Sequence, residues 1–345
     1  MTENMTKTEA GKKYRVCVIG CGVISPNHIK ALTENENTEL CAVCDLVEER
    51  ARNRAAMGNC VYYTDYHRML EEVKPDAVHL CLPHYLHSIV AIDAMRAGAD
   101  VLSEKPMDAS YEAALRMKEV SEQTGRRLGV IFQNRYNAEN VAIFDALARG
   151  DMGKVISVRG EVCWHRDQKY YESGDWRASY RTAGGGVIIN QAIHTLDLVR
   201  SFAGAPVTQV KATVSHHGDT RVEVEDTAEG VIRFENGAVG LFYFSINNME
   251  DEDIRVTIKC EHARVESRAG HCRIHYDDGR IITASDDEGP CFCGAKACYG
   301  SSHAVQIADF YNDPDGSRAR HMMEQALLTQ KLVDAIFRAA NGVHA

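Results

Sequence analysis

Tyr14-Arg-Val-Cys-Val-Ile-Gly20-Cys21-Gly22-Val23-Ile24-Ser25 is the stretch on which the fold turns. An apolar, β-rich run enters a glycine turn, and a helix-like segment follows from His28 to Thr33. Strand, glycine turn and helix is the context a dinucleotide fingerprint requires. Gly20 permits the tight turn. Gly22 lets backbone approach a pyrophosphate seated on the helix N-terminus, beside Val23 and Ile24. Ser25 stands where a third glycine is usual. It is small enough for close helix–strand packing, and its hydroxyl is placed to add a phosphate contact.

The alternation of strand and helix continues. Glu39-Leu-Cys-Ala-Val-Cys-Asp45 reads as a strand that ends in an acid. A carboxylate there bonds the adenosine ribose hydroxyls and repels a 2′-phosphate, which favours NAD. Arg50 and Arg52 lie nearby and leave NADP open, and an N-cap for the next helix is a second use for Asp45. Two further units follow: strand 76–83 with helix 86–97, and strand 100–105 with helix 110–124, opened by Ser110 as N-cap. Residues 127–134 close the series. Strands alternating with helices imply a parallel sheet covered on both faces. Pro83, His84 and His87 follow a strand end and face the same crevice. So do Glu104 and Lys105, where a strand ends in an acid, a base and Pro106, which is expected in a cis bond. A lysine held there beside a carboxylate can move a proton next to a bound cofactor.

Beyond Gly153 the pattern changes. Residues 155–164, 207–216, 224–234, 238–246, 254–260 and 263–267 read as strands, several of them alternating, with turn signals such as Glu235-Asn236-Gly237 between them. The expected architecture is therefore an α/β Rossmann domain with a parallel sheet over residues 1–134. An α+β domain with a large, mostly antiparallel open sheet follows over residues 135–345. The amphipathic helix near 322–340 is expected to pack back on the first domain.

Inside the second half, residues 164–177 form an aromatic and charged loop containing Tyr171, Trp176 and Arg177. Aromatic faces bind the apolar faces of sugars while charged tips bond hydroxyls. Residues 184–197 then run from three glycines into a helix that sets Asn190, His194 and Asp197 at i, i+4 and i+7, on one face. His194 has an unperturbed pKa near neutrality and suits acid/base work. Asp197 either orients His194 or pairs with another helix.

Composition narrows the function classes. The chain has 345 residues, too many for one ordinary core, and a formal net charge of -10. A general nucleic-acid binder needs a basic stripe, so that class is set aside. No apolar run is long enough for a membrane span. Residues 1–13 are polar and are not a signal peptide. With twelve cysteines and no secretion signal, reduced thiols in a cytoplasm are expected. Cys41 and Cys44 fall on opposite faces of a strand, and Cys291, Cys293, Cys298 and His303 match no standard zinc spacing, so no metal is expected.

Taken together, G-x-G-x-x-S at 20–25, C-L-P-H-x-x-H at 81–87, S-E-K-P at 103–106 and G-G-G-x-x-x-N-x-x-x-H at 184–194 resemble the glucose–fructose oxidoreductase / inositol dehydrogenase / MocA family. The resemblance runs in order over nearly the whole chain. It implies a catalytic lysine at Lys105 and NAD or NADP as cofactor. It implies Trp176 and Arg177 near cofactor and substrate, an acid/base histidine at His194, and a substrate border near His303. The substrate is then a small carbohydrate or cyclitol, and the open sheet serves a homodimer or homotetramer. Asn190 departs from the family's usual aspartate; an amide cannot titrate, so it can only position a hydroxyl or carbonyl. Two rivals stay open: a redox-neutral glycosidase or lyase that uses tightly bound NAD for transient oxidation, and a non-catalytic NAD-sensing protein.

Overall fold

The computed structural model describes residues 13–172, 174–218, 221–285 and 302–341. Cys291, Cys293 and Cys298 lie outside the described residues, as does most of the N-terminal tail.

The first half builds a six-stranded parallel sheet from β1 (Tyr14–Ile19), β2 (Thr38–Cys44), β3 (Val61–Tyr63), β4 (Ala77–Leu80), β5 (Asp100–Ser103) and β6 (Leu128–Val130). Their spatial order is β3-β2-β1-β4-β5-β6. The helices between them are α1 (Ser25–Glu34), α2 (Glu48–Gly58), α3 (Tyr66–Val73), α4 (His87–Arg96) and α5 (Tyr111–Thr124). Successive side chains on β1 go to opposite faces, as the pleat requires. Val16 and Val18 pack with Ile29 and Leu32, while Cys17 and Ile19 pack with Met69 and Val90. With both faces covered, the central strand β4 is buried along its whole length rather than alternating. The expected helix starts hold locally: the Ser110 side chain accepts from the Ala113 N–H and caps α5. Strand order reverses between β1 and β4, the switch point where doubly wound sheets open a crevice at the strand ends.

The chain leaves this sheet through a single 3-10 turn at Gln133–Tyr136 and α6 (Ala138–Arg149), which packs on the second sheet. That sheet comprises β7 (Val155–Cys163), β8 (Val207–Ser215), β9 (Thr227–Phe234), β10 (Val239–Ser245), β11 (Arg255–Cys260), β12 (Ala263–Arg268), β13 (His271–Tyr276) and β14 (Ile281–Ser285). Its order is β14-β13-β12-β11-β7-β10-β9-β8, antiparallel except for the β7–β10 pair. Short α7 (Gln168–Glu172), α8 (Tyr180–Ala183) and a π-turn (Val187–Gln191) lead into α9 (Ile193–Ala203), which covers one face of the sheet at β7 and β10. The other face leaves Leu241 and Tyr243 exposed.

Two C-terminal helices tie the halves together. The helix α10 (His303–Tyr311) packs on α1 and buries Ile307 and Phe310 in the core of the first sheet. The last helix, α11 (Ser317–Ala340), lies across β6 and α5 of the first half and β8 and α9 of the second. Among the described residues no helix is long and apolar enough to cross a membrane.

Candidate active site

The glycine loop is shaped for close approach. Gly20 has φ +96°, and a Cβ there would stand 2.3 Å from the Cys81 carbonyl oxygen, so only glycine lets β1 turn beneath the end of β4. A Cβ at Gly22 would meet nothing within 4 Å, which leaves room on the loop. Val23 is exposed beside it. The first turn of α1 has no side-chain cap, so the positive end of its helix dipole opens on the loop. These features fit a dinucleotide pyrophosphate. Ser25 departs from expectation. Its hydroxyl is buried and donates to the Gly22 carbonyl at 2.8 Å, so it braces the loop instead of facing a phosphate. Arg54 of α2, which sequence reasoning did not single out, reaches Ser25 Oγ at 3.0 Å and sets a positive charge beside the same loop.

Asp45 ends β2 and serves locally as well. Its Oδ2 accepts from Cys21 N–H and its Oδ1 from Val47 N–H, both at 2.8 Å. The carboxylate thus ties the glycine loop to the start of α2 at the position where a ribose diol would be held. Arg52 is engaged by Glu48 and Tyr62.

At the end of β5 the Lys105–Pro106 bond is cis. The Lys105 ammonium donates to the Asn190 carbonyl at 3.1 Å, which links the strand end to the π-turn of the second half. Burial lowers the Lys105 pKa below the usual lysine range; the Glu104 carboxylate opposes this and Arg177 adds to it. His194, on the first turn of α9, is buried with its ring edge-on to Phe132. Burial first, and the Lys105 ammonium second, push its pKa down to about 3, so the imidazole is neutral at ordinary pH. The Lys105 ammonium thus helps to keep the His194 imidazole neutral.

Beneath Lys105 lies a buried polar chain. Glu104 Oε1 meets His28 Nε2 at 2.9 Å and His303 Nε2 at 3.2 Å. His28 Nδ1 meets His79 Nδ1, and His79 Nε2 meets the Tyr311 hydroxyl, both at 2.8 Å. An ionised Glu104 can only accept, which fixes Nε2–H on both neighbouring histidines. If Tyr311 donates to His79, every bond along the chain then points toward the carboxylate. Burial alone would raise the Glu104 pKa, but the hydrogen bonds from His28 and His303 hold it well below the usual range. His28, Glu104 and His303 bring donor atoms within 4.8 Å of one another, a grouping a metal could use. The two hydrogen bonds already account for their convergence.

The walls come from both halves. The His84 ring lies 4.5 Å from Trp176, and its Nδ1–H donates to the Ala183 carbonyl. Arg177 stacks over Trp176 and over Tyr170, with 4.8 and 5.2 Å to the ring centroids. The Tyr170 hydroxyl accepts from the side-chain amides of Asn190 and Gln191 at 2.9 and 2.8 Å. Tyr171, expected at the substrate, lines a separate small cavity with His216, Asp226 and Asn247. Tyr170 is the one that touches the cluster. His87 is also turned away. Its two ring nitrogens face the carbonyls of Pro106 and Leu82 at 2.7 and 2.9 Å, so it pins the Lys105–Pro106 turn to the end of β4 and leaves no nitrogen for a cofactor. Asp197, one turn beyond His194, takes the second of its expected roles and pairs with Arg135 and Arg200.

A switch-point crevice with a glycine loop, a strand-end lysine and a buried histidine define a dinucleotide-dependent oxidoreductase of two sheets. Residues 14–132 match the family model described as oxidoreductase family, NAD-binding Rossmann fold. Residues 141–266 match the GFO/IDH/MocA C-terminal domain. The chain belongs to the GFO/IDH/MocA family of oxidoreductases. Over 97% of its length it is 25% identical to the D-glucoside 3-dehydrogenase of Escherichia coli K12, covering 98% of that protein. It is 28% identical to the myo-inositol 2-dehydrogenase of Thermotoga maritima, over 71% of this chain and 72% of that one. Among solved structures it is similar to the WlbA dehydrogenase of Bordetella pertussis in complex with NADH and UDP-GlcNAcA. The TM-score is 0.81 at 28% identity, with 96% of each chain covered.

Proposed function

We propose that the protein is an NAD-dependent dehydrogenase or reductase that acts on a hydroxyl-bearing carbon of a sugar, glycoside or cyclitol. The observation that carries this reading is the Lys105–His194 pair at the strand-end crevice, walled by Trp176, Arg177 and Tyr170. The glycine loop, Arg54 and Asp45 hold the dinucleotide, and the bound nicotinamide supplies the hydride acceptor or donor. Neutral Lys105 takes the hydroxyl proton at its Nζ as the C–H bond breaks; in reduction the ammonium returns a proton to the carbonyl oxygen. Neutral His194 hydrogen-bonds to the same oxygen and aligns it. The amides of Asn190 and Gln191, already gathered on the Tyr170 hydroxyl, orient neighbouring hydroxyls without titrating. His303 borders the site through Glu104.

The relatives carry dehydrogenase names, which supports net redox over redox-neutral cleavage. The exposed face of the second sheet, with Leu241 and Tyr243, suits a homodimer or homotetramer. The cysteines among the described residues are all unbridged, in keeping with a reducing cytoplasm.

The test is a panel of sugars, cyclitols and glycosides with NAD and NADP, read by reduced-coenzyme absorbance. Formation of NADH with at least one of them is expected. Release of an aglycone with no net NADH would mark the redox-neutral route instead. A second prediction concerns coenzyme choice. Like charges about 4 Å apart near a surface repel by on the order of 1–4 kcal/mol. Asp45→Ser is therefore expected to reduce the preference for NAD over NADP by about tenfold or more in kcat/KM. An unchanged ratio would remove Asp45 from the ribose site.

A further inference from the structure

The π-turn Val187–Gln191 carries the groups that meet Lys105, yet its own support comes from 35 or more residues further along the chain. Three successive backbone N–H groups all end on Glu225. Gly186 N–H donates to Oε2 at 2.8 Å, Val187 N–H to the Glu225 backbone carbonyl at 3.0 Å, and Ile188 N–H to Oε1 at 3.1 Å. The fit is close: a Cβ on Gly186 would stand 1.9 Å from the Glu225 carbonyl oxygen. Glu225 is buried just before β9. Its carboxylate does for this turn what a bound anion does for a nest of N–H groups. From the turn the path to the chemistry is short. Asn190 N–H closes on the Gly186 carbonyl, the Asn190 carbonyl accepts from Lys105, and the Asn190 side chain reaches Tyr170.

We propose that Glu225 is a positioning residue for the proton-transfer site, a carboxylate clamp whose ionisation fixes the π-turn and through it the placement of Asn190 and Lys105. This rests on the function proposed above for Lys105. An ionised carboxylate holds both N–H groups in charge-assisted hydrogen bonds; protonation removes the charge and weakens both. The titration falls where this matters. Burial raises the Glu225 pKa to about 7, the Gly186 and Ile188 N–H groups oppose that rise, and the Tyr180 hydroxyl of α8 opposes it further. Tyr171 of α7 also faces it, beside the neighbouring Asp226, and burial first, with both carboxyls contributing, raises that phenol out of the neutral range. As pH falls through neutrality the clamp loosens, and rises in pH restore it.

The chain has two tryptophans, and Trp176 packs against His84 at the edge of this site, so Trp164→Phe leaves a local reporter. Burial keeps His84 well below its ordinary pKa, which removes its titration from the same range. In the full-length NAD complex of that variant, Trp176 emission is expected to step between pH 8 and 6 with a midpoint near the Glu225 value of about 7. Adding Glu225→Gln is expected to abolish the step, and to remove the acid limb of kcat/KM at the same midpoint. A step that is absent in the parent, or that survives in Glu225→Gln, overturns the proposal. If no substrate of the panel turns over, the emission step still decides the clamp, so the two readings fail separately. Should Glu225→Gln not fold, Glu225→Asp keeps the charge one methylene short of the N–H groups and must move the midpoint; an unmoved midpoint overturns the clamp.

Discussion

Lys105→Ala is expected to lower kcat by about 10³-fold, while coenzyme affinity moves by less than about threefold. The first figure is the usual worth of a positioned proton-transfer group, about 4 kcal/mol of barrier. The second follows from the layout. The glycine loop, Arg54 and Asp45 hold the dinucleotide from β1, α1 and α2, and none of their hydrogen bonds passes through Lys105. Lys105→Arg is expected to fail almost as badly, since a guanidinium keeps its proton at any working pH. In the unaltered enzyme the sign of the pH dependence is set by the lowered lysine pKa: oxidation speeds up as pH rises through a value below the usual lysine range. Stopped-flow measurement of single-turnover NADH formation, alongside NADH binding by fluorescence, separates the two quantities. A Lys105→Ala enzyme within tenfold of the parent in single-turnover rate would transfer the base role elsewhere, with His194 the first candidate.

What the sequence made legible follows the range of the forces involved. The βα repeat, the glycine turn and the Ser110 cap depend on neighbouring residues, so their signals are local. The strand-end lysine and the 184–194 motif were equally readable because each is one continuous segment. Contacts that close across the fold left no such mark. Tyr170 and Tyr171 are adjacent in one short helix, and which of them faces Asn190 depends on a rotation of that helix that spacing alone does not fix. His87 became a brace because two carbonyls, from Leu82 and Pro106, converge on it. The chain from Tyr311 through His79 and His28 to Glu104 spans 232 residues in its first bond alone. Glu225 shares no motif with the turn it clamps. The strand β13 escaped because polar residues such as His271 and Arg273 occupy its outer face beside single buried positions such as Cys272 and Ile274.

The same distinction makes Asp197 a consequential residue for stability. Its carboxylate receives both Arg135 Nε and Nη2 at 2.7 Å, Arg200 Nη2 at 3.3 Å and the Thr329 hydroxyl. Arg135 comes from the turn that leaves the first sheet, Arg200 from α9 and Thr329 from α11. One buried anion therefore fastens the two halves and the last helix at a single point. Removing one partner of a buried ion pair costs about 3–5 kcal/mol, because the remaining charge stays buried without compensation. Asp197→Ala leaves two guanidiniums facing each other, so a loss of about that size is expected, read as a drop in denaturant midpoint at unchanged slope. Replacing Arg135 by Met in the same background relieves the repulsion and is expected to recover part of the loss. The pH dependence has a definite sign. Burial would raise the Asp197 pKa, but Arg135 and Arg200 hold it below the ordinary value. A depressed carboxyl contributes stability above its unfolded pKa of about 4 and loses that contribution as pH falls through the folded value. Stability should therefore erode below about pH 4 in the parent, and Asp197→Ala should lack that component. His194 stands one turn earlier on α9, so a slackened Asp197 anchor also loosens the placement of His194 and should lower kcat at temperatures where the variant is still folded. A variant within about 1 kcal/mol of the parent would show that Arg135 and Arg200 find other compensation, and that the halves are held by the apolar packing of α11 instead.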